Sequence, residues 1–166
     1  MAHHFSVDPE CLKAAQTWFA AGDYHKALEE LDRLDATLRD HPDVLEMRCQ
    51  IGSMTNDWKL SLEAASRLMR KDPDRPSGWI QRSIALQHLN CGQEAALLLK
   101  SAVEKFPKDW LIPYHLARLA CISGQSEQTW HWFVMALGTG DSKKIRDLAM
   151  SDPDLKPFLT RILKKK

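Results

Sequence analysis

Gly22, Asn56, Asn90 and Gly124 stand at successive intervals of 34 residues. Glycine and asparagine are the residue types that best tolerate the left-handed backbone that ends a helix. The same interval recurs in other columns. Ala15, Cys49, Ser83 and Ala117 form one column of small residues, and Ala27, Ser61, Ala95 and Thr129 a second. Leu31, Ala65, Leu99 and Phe133 form a third, as do Leu34, Leu68, Ala102 and Ala136 a fourth. Pro42 matches Pro76, and Pro73 matches Pro107. A period kept across four units without an insertion dictates stacking, because a short unit cannot bury its apolar face alone.

Each unit reads as two helices. In the third, Trp79 to Leu89 is the expected first helix and Glu94 to Phe106 the second. Asn90, Cys91 and Gly92 turn the chain between them, and Pro107 ends the second. The small columns are where two helices approach closely enough for ridges to enter grooves. The large apolar columns fill the space between layers.

A helix–turn–helix period of 34 residues with small residues in these columns resembles the tetratricopeptide repeat (TPR). The resemblance implies an all-α fold, an α-α superhelix or TPR solenoid of about four helical hairpins in a single domain over residues 1–166. The units fall at about 8–41, 42–75, 76–109 and 110–141, which is about 80% of the chain. In the third, Trp79, Leu86, Ala95, Ala102 and Pro107 all occupy family positions. The second departs most: Gly52 stands where a large residue is usual, and Ser61 where alanine is. Arg48 and Arg82 occupy a column that is normally leucine. Their stems are expected to pack while the guanidinium reaches a carboxylate or water.

Residues 142–166 read as a closing cap, which a terminal repeat needs to keep its apolar side dry. Ser142 to Met150 is an expected amphipathic helix. Asp152 is expected to N-cap a last helix with Pro153 at its first position. Leu155, Phe158, Leu159, Ile162 and Leu163 would face one side. The stretch Asp152–Leu155 is similar to the ends of many bacterial repeat proteins of this kind, which implies a bacterial source.

Charge and composition exclude several classes of function. The formal net charge is +1, so no strong field draws the chain to nucleic acid or an anionic membrane. Basic residues and aromatics form no common stripe, and the only basic run is Lys164–Lys166. No window reaches the ~18 apolar residues of a membrane span, and Met1–Pro9 lacks the apolar core of a secretory signal. Cys11, Cys49, Cys91 and Cys121 form no CxxC pair. These features are those of reduced thiols in a cytoplasmic protein. The phosphate-binding, zinc-protease and serine-nucleophile motifs are absent, and no catalytic residues, metal ligands or cofactors are expected. His88 and Cys91 make one HxxC, short of the ligands a structural zinc needs; His115 and Cys121 lie too far apart round a helix. Trp130 and Phe133 are expected to pack, with an exposed Trp132 as a contact site.

In the family that the chain resembles, the first helices of successive repeats line a concave groove. Carried over, the groove positions are Leu12, Gln16 and Phe19; Glu46, Gln50 and Met54; Ile80, Ile84, Gln87 and His88; and Tyr114, Arg118 and Ile122. Apolar and aromatic groups mixed with amides and one arginine suit an extended peptide or an apolar helix face. Some of these side chains would instead pack between repeats. Chaperone-binding members of the family clamp a C-terminal carboxylate with converging cations and an asparagine. The corresponding places hold Leu12, Gln16, Met47, Ser77 and Gln81 or, one repeat along, Glu46, Gln50, Gln81, Leu111 and His115, and neither set supplies the charges. The expected function is therefore an adaptor that binds another protein or peptide, with no enzymatic activity. The alternatives are a small secretion or assembly chaperone of the same architecture and a structural homo-oligomer.

Overall fold

The computed structural model describes residues 9–163; His3, His4 and the Lys164–Lys166 run lie outside the described residues. Eleven helices follow one another among these residues: α1 (Pro9–Ala20), α2 (Tyr24–Arg33), α3 (Ala36–Arg39), α4 (Pro42–Thr55), α5 (Trp58–Lys71), α6 (Pro76–His88), α7 (Gly92–Lys105), α8 (Leu111–Ile122), α9 (Ser126–Thr139), α10 (Ser142–Ser151) and α11 (Lys156–Leu163). The fold is an all-α arrangement of helix pairs.

The periodic positions explain it. Gly22, Asn56, Asn90 and Gly124 all take positive φ, between 58° and 79°, at the turns after α1, α4, α6 and α8. All sixteen residues of the four apolar and small columns are buried, none more than 3% exposed. Two turns are closed by capping: the Asp23 carboxylate accepts the Lys26 N–H at 3.1 Å and the Asp57 carboxylate the Leu60 N–H at 3.0 Å. Each such cap stabilises its helix by about 1 kcal/mol. One period further on, Cys91 and Gln125 make no side-chain cap.

The chain divides into two compact units at Ala85/Leu86, within α6. In the first, α1 pairs with α2 and α4 with α5. Their core gathers Ala15, Ala27, Leu31, Leu34, Val44, Met47 and Ile51, with Leu12 and Phe19 partly buried against it. A short helix joins the two pairs, a feature the repeat pattern did not foretell. The Asp35 carboxylate caps α3 through the N–H groups of Thr37 (2.8 Å) and Leu38 (2.9 Å). Arg39 then donates back to the carbonyls of Leu34 and Asp32, each at 2.6 Å. Asp40 pairs with Arg67 and Lys71 of α5, which hold its carboxyl below the usual carboxylate range.

Gly52 has a structural reason. A Cβ there would lie 2.8 Å from both the Asp57 carbonyl oxygen and the Ser61 nitrogen. The helices α4 and α5 thus meet backbone to backbone, and a large residue has no room. Arg48 behaves as expected: its side chain is largely covered and its guanidinium pairs with Asp32.

In the second unit α8 pairs with α9, and α7, α10 and α11 pack round that pair. The α10 helix ends at Ser151, close to the expected boundary, but α11 begins at Lys156 rather than Pro153. Asp152 serves both sides: its N–H donates to the Leu148 carbonyl as the C-cap of α10, and its own carbonyl accepts the Lys156 N–H at 2.9 Å. Its carboxylate accepts the Asp154 N–H at 2.9 Å, the capping bond expected of it, and a turn over residues 153–155 leads into α11. The expectation for the aromatic cluster also changes. Trp130 is exposed, whereas Trp132 packs against the core beside Phe133.

Candidate functional site

An amphipathic helix places residues three and four apart on one face. On α1 that face carries Leu12, Gln16 and Phe19; on α4 it carries Glu46, Gln50 and Met54. The two faces bound a cleft of about 350 Å³ lined by Gln16, Phe19, Asp43, Glu46, Met47 and Gln50. Four of these six were expected from the sequence. Leu12 is half-buried in the core behind the cleft, and Met54 is exposed but does not line it. Asp43 and Met47 were not on the expected face, although Asp43 precedes Glu46 and Met47 by one helical turn and the period of α4 identifies both.

Chemically the cleft has a floor and a rim. Phe19 and Met47 supply the apolar floor, and the edge of Tyr24 fixes the Phe19 ring at a centroid distance of 5.4 Å. Gln16 and Gln50 are exposed amides that both donate and accept. Asp43 and Glu46 supply charge, facing Arg75: its Nη1 donates to Asp43 Oδ1 at 2.8 Å and to Glu46 Oε2 at 2.9 Å, and its Nε to Asp72 Oδ2 at 3.0 Å. These carboxylates hold the Arg75 guanidinium even further above neutrality than usual.

The corresponding face of α8 is covered by the chain itself. Tyr114, expected at a partner surface, is buried, and its hydroxyl donates to Asp152 Oδ2 at 2.9 Å. Burial, then the Asp152 bond, raises its phenol well above the ordinary value. Arg118 donates from Nη2 to Asp154 Oδ2 at 2.7 Å, while its Nε lies 3.0 Å from Asp152 Oδ2 without a hydrogen-bonding angle, so that contact is coulombic. The Cys121 thiol donates to the Asp154 carbonyl at 3.1 Å, and burial followed by the Asp154 charge pushes its pKa up. Leu155, Phe158 and Leu159 complete the cover. Tyr114 and Arg118 therefore hold the tail of the molecule rather than a partner.

His115 belongs to the same cluster. Burial and the neighbouring Arg118 charge depress it from 6.5 to about 3. Below pH 6.5 the unfolded chain gains a proton that the folded chain refuses until about pH 3, so this group removes stability as pH falls. Urea unfolding at pH 5 should show about 2 kcal/mol less stability than at pH 7 from this residue, and His115→Gln should flatten that part of the slope.

The remaining expected residues scatter. Ile80 is buried and so packs instead of facing a partner; Ile84 and Gln87 are half-buried, and His88 and Ile122 are exposed. Two further clefts were not foreseen. One of about 340 Å³ lies between α7, α8 and α9, where Leu97 is 67% exposed beside Trp132. Another of about 400 Å³ is lined by Cys121, Thr129, Phe158 and Arg161. Among the described residues no three His, Cys, Asp or Glu side chains gather as a metal site, and no helix is long and apolar enough to cross a membrane.

Several solved structures share this architecture. TTC0263, a thermophilic TPR protein of Thermus thermophilus, superposes with a TM-score of 0.71 at 19% identity, over 93% of this chain and 88% of that one. The fold is TPR-like. MamA of Desulfovibrio magneticus RS-1, from residue 41 to its end, gives a TM-score of 0.71 at 14% identity over 96% and 93% of the two chains. The MamA RS-1 ArsTM double mutant gives 0.69 at 17% identity over 86% and 80%. No family model and no curated protein matches the sequence. The TPR-like likeness is thus one of backbone architecture, at 14–19% identity.

Proposed function

We propose that this chain is a protein-binding adaptor that seats a partner's extended segment or apolar helix face in the cleft between α1 and α4. The observation that carries this reading is the cleft itself: an apolar floor of Phe19 and Met47 beside two exposed, orienting amides, Gln16 and Gln50. Such a mixture of apolar area with a few placed polar groups is what peptide recognition uses. On this reading the protein works without catalysis or a cofactor, in the cytoplasm of a bacterium. The coverage of the Tyr114 and Arg118 face of α8 supports choosing the first unit in this reading.

Peptides selected from a random library on the immobilised protein test it. Side-chain amide signals of Gln16 and Gln50 should shift on binding. Phe19→Ala should weaken binding by about tenfold or more, matching the 1.5–3 kcal/mol of a buried aromatic contact, and Gln50→Ala by about threefold. Because Gln50 is exposed, its variant should keep the native melting temperature. Selected peptides that ignore both substitutions would place the binding surface elsewhere.

A further inference from the structure

We propose that the α1/α4 cleft selects a partner segment that carries lysine or arginine beside its apolar anchor. The inference rests on the reading of that cleft as the binding site and names the chemistry of its occupant. Two of the six lining residues, Asp43 and Glu46, are carboxylates, and none is a lysine or arginine. The cation that faces them is Arg75, which three carboxylates share: Asp43, Glu46 and Asp72. The cleft wall itself carries two negative charges, Asp43 and Glu46, and the cation that bridges them is shared with Asp72 outside the lining, so the cluster as a whole is one positive charge against three negative.

Arg75 also leaves acceptors over. It takes Oδ1 of Asp43 and Oε2 of Glu46, so among the described residues Asp43 Oδ2 and Glu46 Oε1 remain for another donor. His41 does not claim the first. Its Nδ1 lies 3.7 Å from Asp43 Oδ2, but that nitrogen accepts the Asp43 N–H at 3.3 Å and cannot also donate. The Asp43 side chain is 55% exposed, open to an incoming cation. The Glu46 charge also reaches Cys49, one turn further along α4, where it adds to burial in pushing the thiol up to about 12. Phe19 and Met47 can take the aliphatic stem of a lysine or arginine while its charged end reaches the carboxylates. A negative segment would meet repulsion at the same wall.

Three labelled twelve-residue peptides provide the test, each with leucine at every third position and four intervening lysines, glutamines or glutamates. Fluorescence anisotropy at low salt should rank lysine above glutamine by about three- to tenfold, the effect of one or two half-exposed ion pairs, with glutamate weakest. The preference should shrink at high salt. It should fall below twofold in Asp43→Asn/Glu46→Gln and persist in Glu127→Gln, a control on α9. Equal binding of the lysine and glutamine peptides, still sensitive to Phe19→Ala, would overturn the charge selectivity and leave the cleft as the site. A lysine preference that survives the double substitution would overturn it too. Binding of none of the three, or binding indifferent to Phe19→Ala, would overturn both. Circular dichroism melting of the double variant separates lost binding from lost fold.

Discussion

Gly52→Ala is expected to destabilise the protein by about 2–3 kcal/mol, the upper end of what one added methyl group costs in a packed interior. The methyl carbon would meet the Asp57 carbonyl oxygen and the Ser61 nitrogen at 2.8 Å each, and both are backbone atoms that cannot rotate away. Relief requires α4 and α5 to separate, which loosens Cys49, Ala64 and Ala65 packed beside the crossing. The melting temperature should fall by roughly 5–10 °C, at 2–4 °C per kcal/mol for a chain of this size. Gly138→Ala is the matched control. Nothing lies within 4 Å of its added carbon, and it sits inside α9, where alanine is the better helix former. It should raise stability slightly. If the two variants melt alike, the backbone contact at Gly52 is not what limits that position.

Leu155→Ala carries the second large expectation, a loss of about 3 kcal/mol within the 2–5 kcal/mol usual for emptying a buried leucine site. Leu155 is fully buried among Tyr114, Ala117, Phe133, Ile145 and Phe158. It sits one residue beyond Asp154, so its side chain anchors the turn that delivers both carboxylates to Arg118. Leu148→Ala, at a 43% exposed position on α10, should change stability by less than about 0.5 kcal/mol. Peptide binding at the α1/α4 cleft should survive Leu155→Ala at 25 °C. Chemical denaturation with a fluorescence readout of the second unit measures the difference between the two variants.

The fold was legible because its physical requirements are local and repeated. A left-handed residue at each turn and a small residue at each helix crossing recur at one interval, and every such column proved buried or turning as its chemistry demands. The candidate cleft was legible only on the first helices of the first two repeats. Gln16, Phe19, Glu46 and Gln50 line a cleft that stays open among the described residues. Tyr114 and Arg118 occupy equivalent positions, yet they are claimed by Asp152 and Asp154, more than 30 residues away in sequence. Periodicity reports which face a residue shares; it is silent about a distant segment folding back across that face. Ile80 fails similarly, since an isoleucine on an inner face is as suited to packing as to binding. The Asp-Pro reading located the capping bonds of Asp152 through Oδ1 and its carbonyl, but not the claim of Tyr114 and Arg118 on Oδ2, nor the start of α11 at Lys156.

The short helix α3 has a consequence for affinity. With Asp35 tied to two N–H groups and Arg39 tied to two carbonyls, the segment between the first two helix pairs has few free torsions left. On the proposed reading, the walls of the α1/α4 cleft are set before a guest arrives, and association would order little of the host. The remaining entropic cost would then fall on the guest, so a stiff guest, helical or proline-braced, would gain most from meeting this surface.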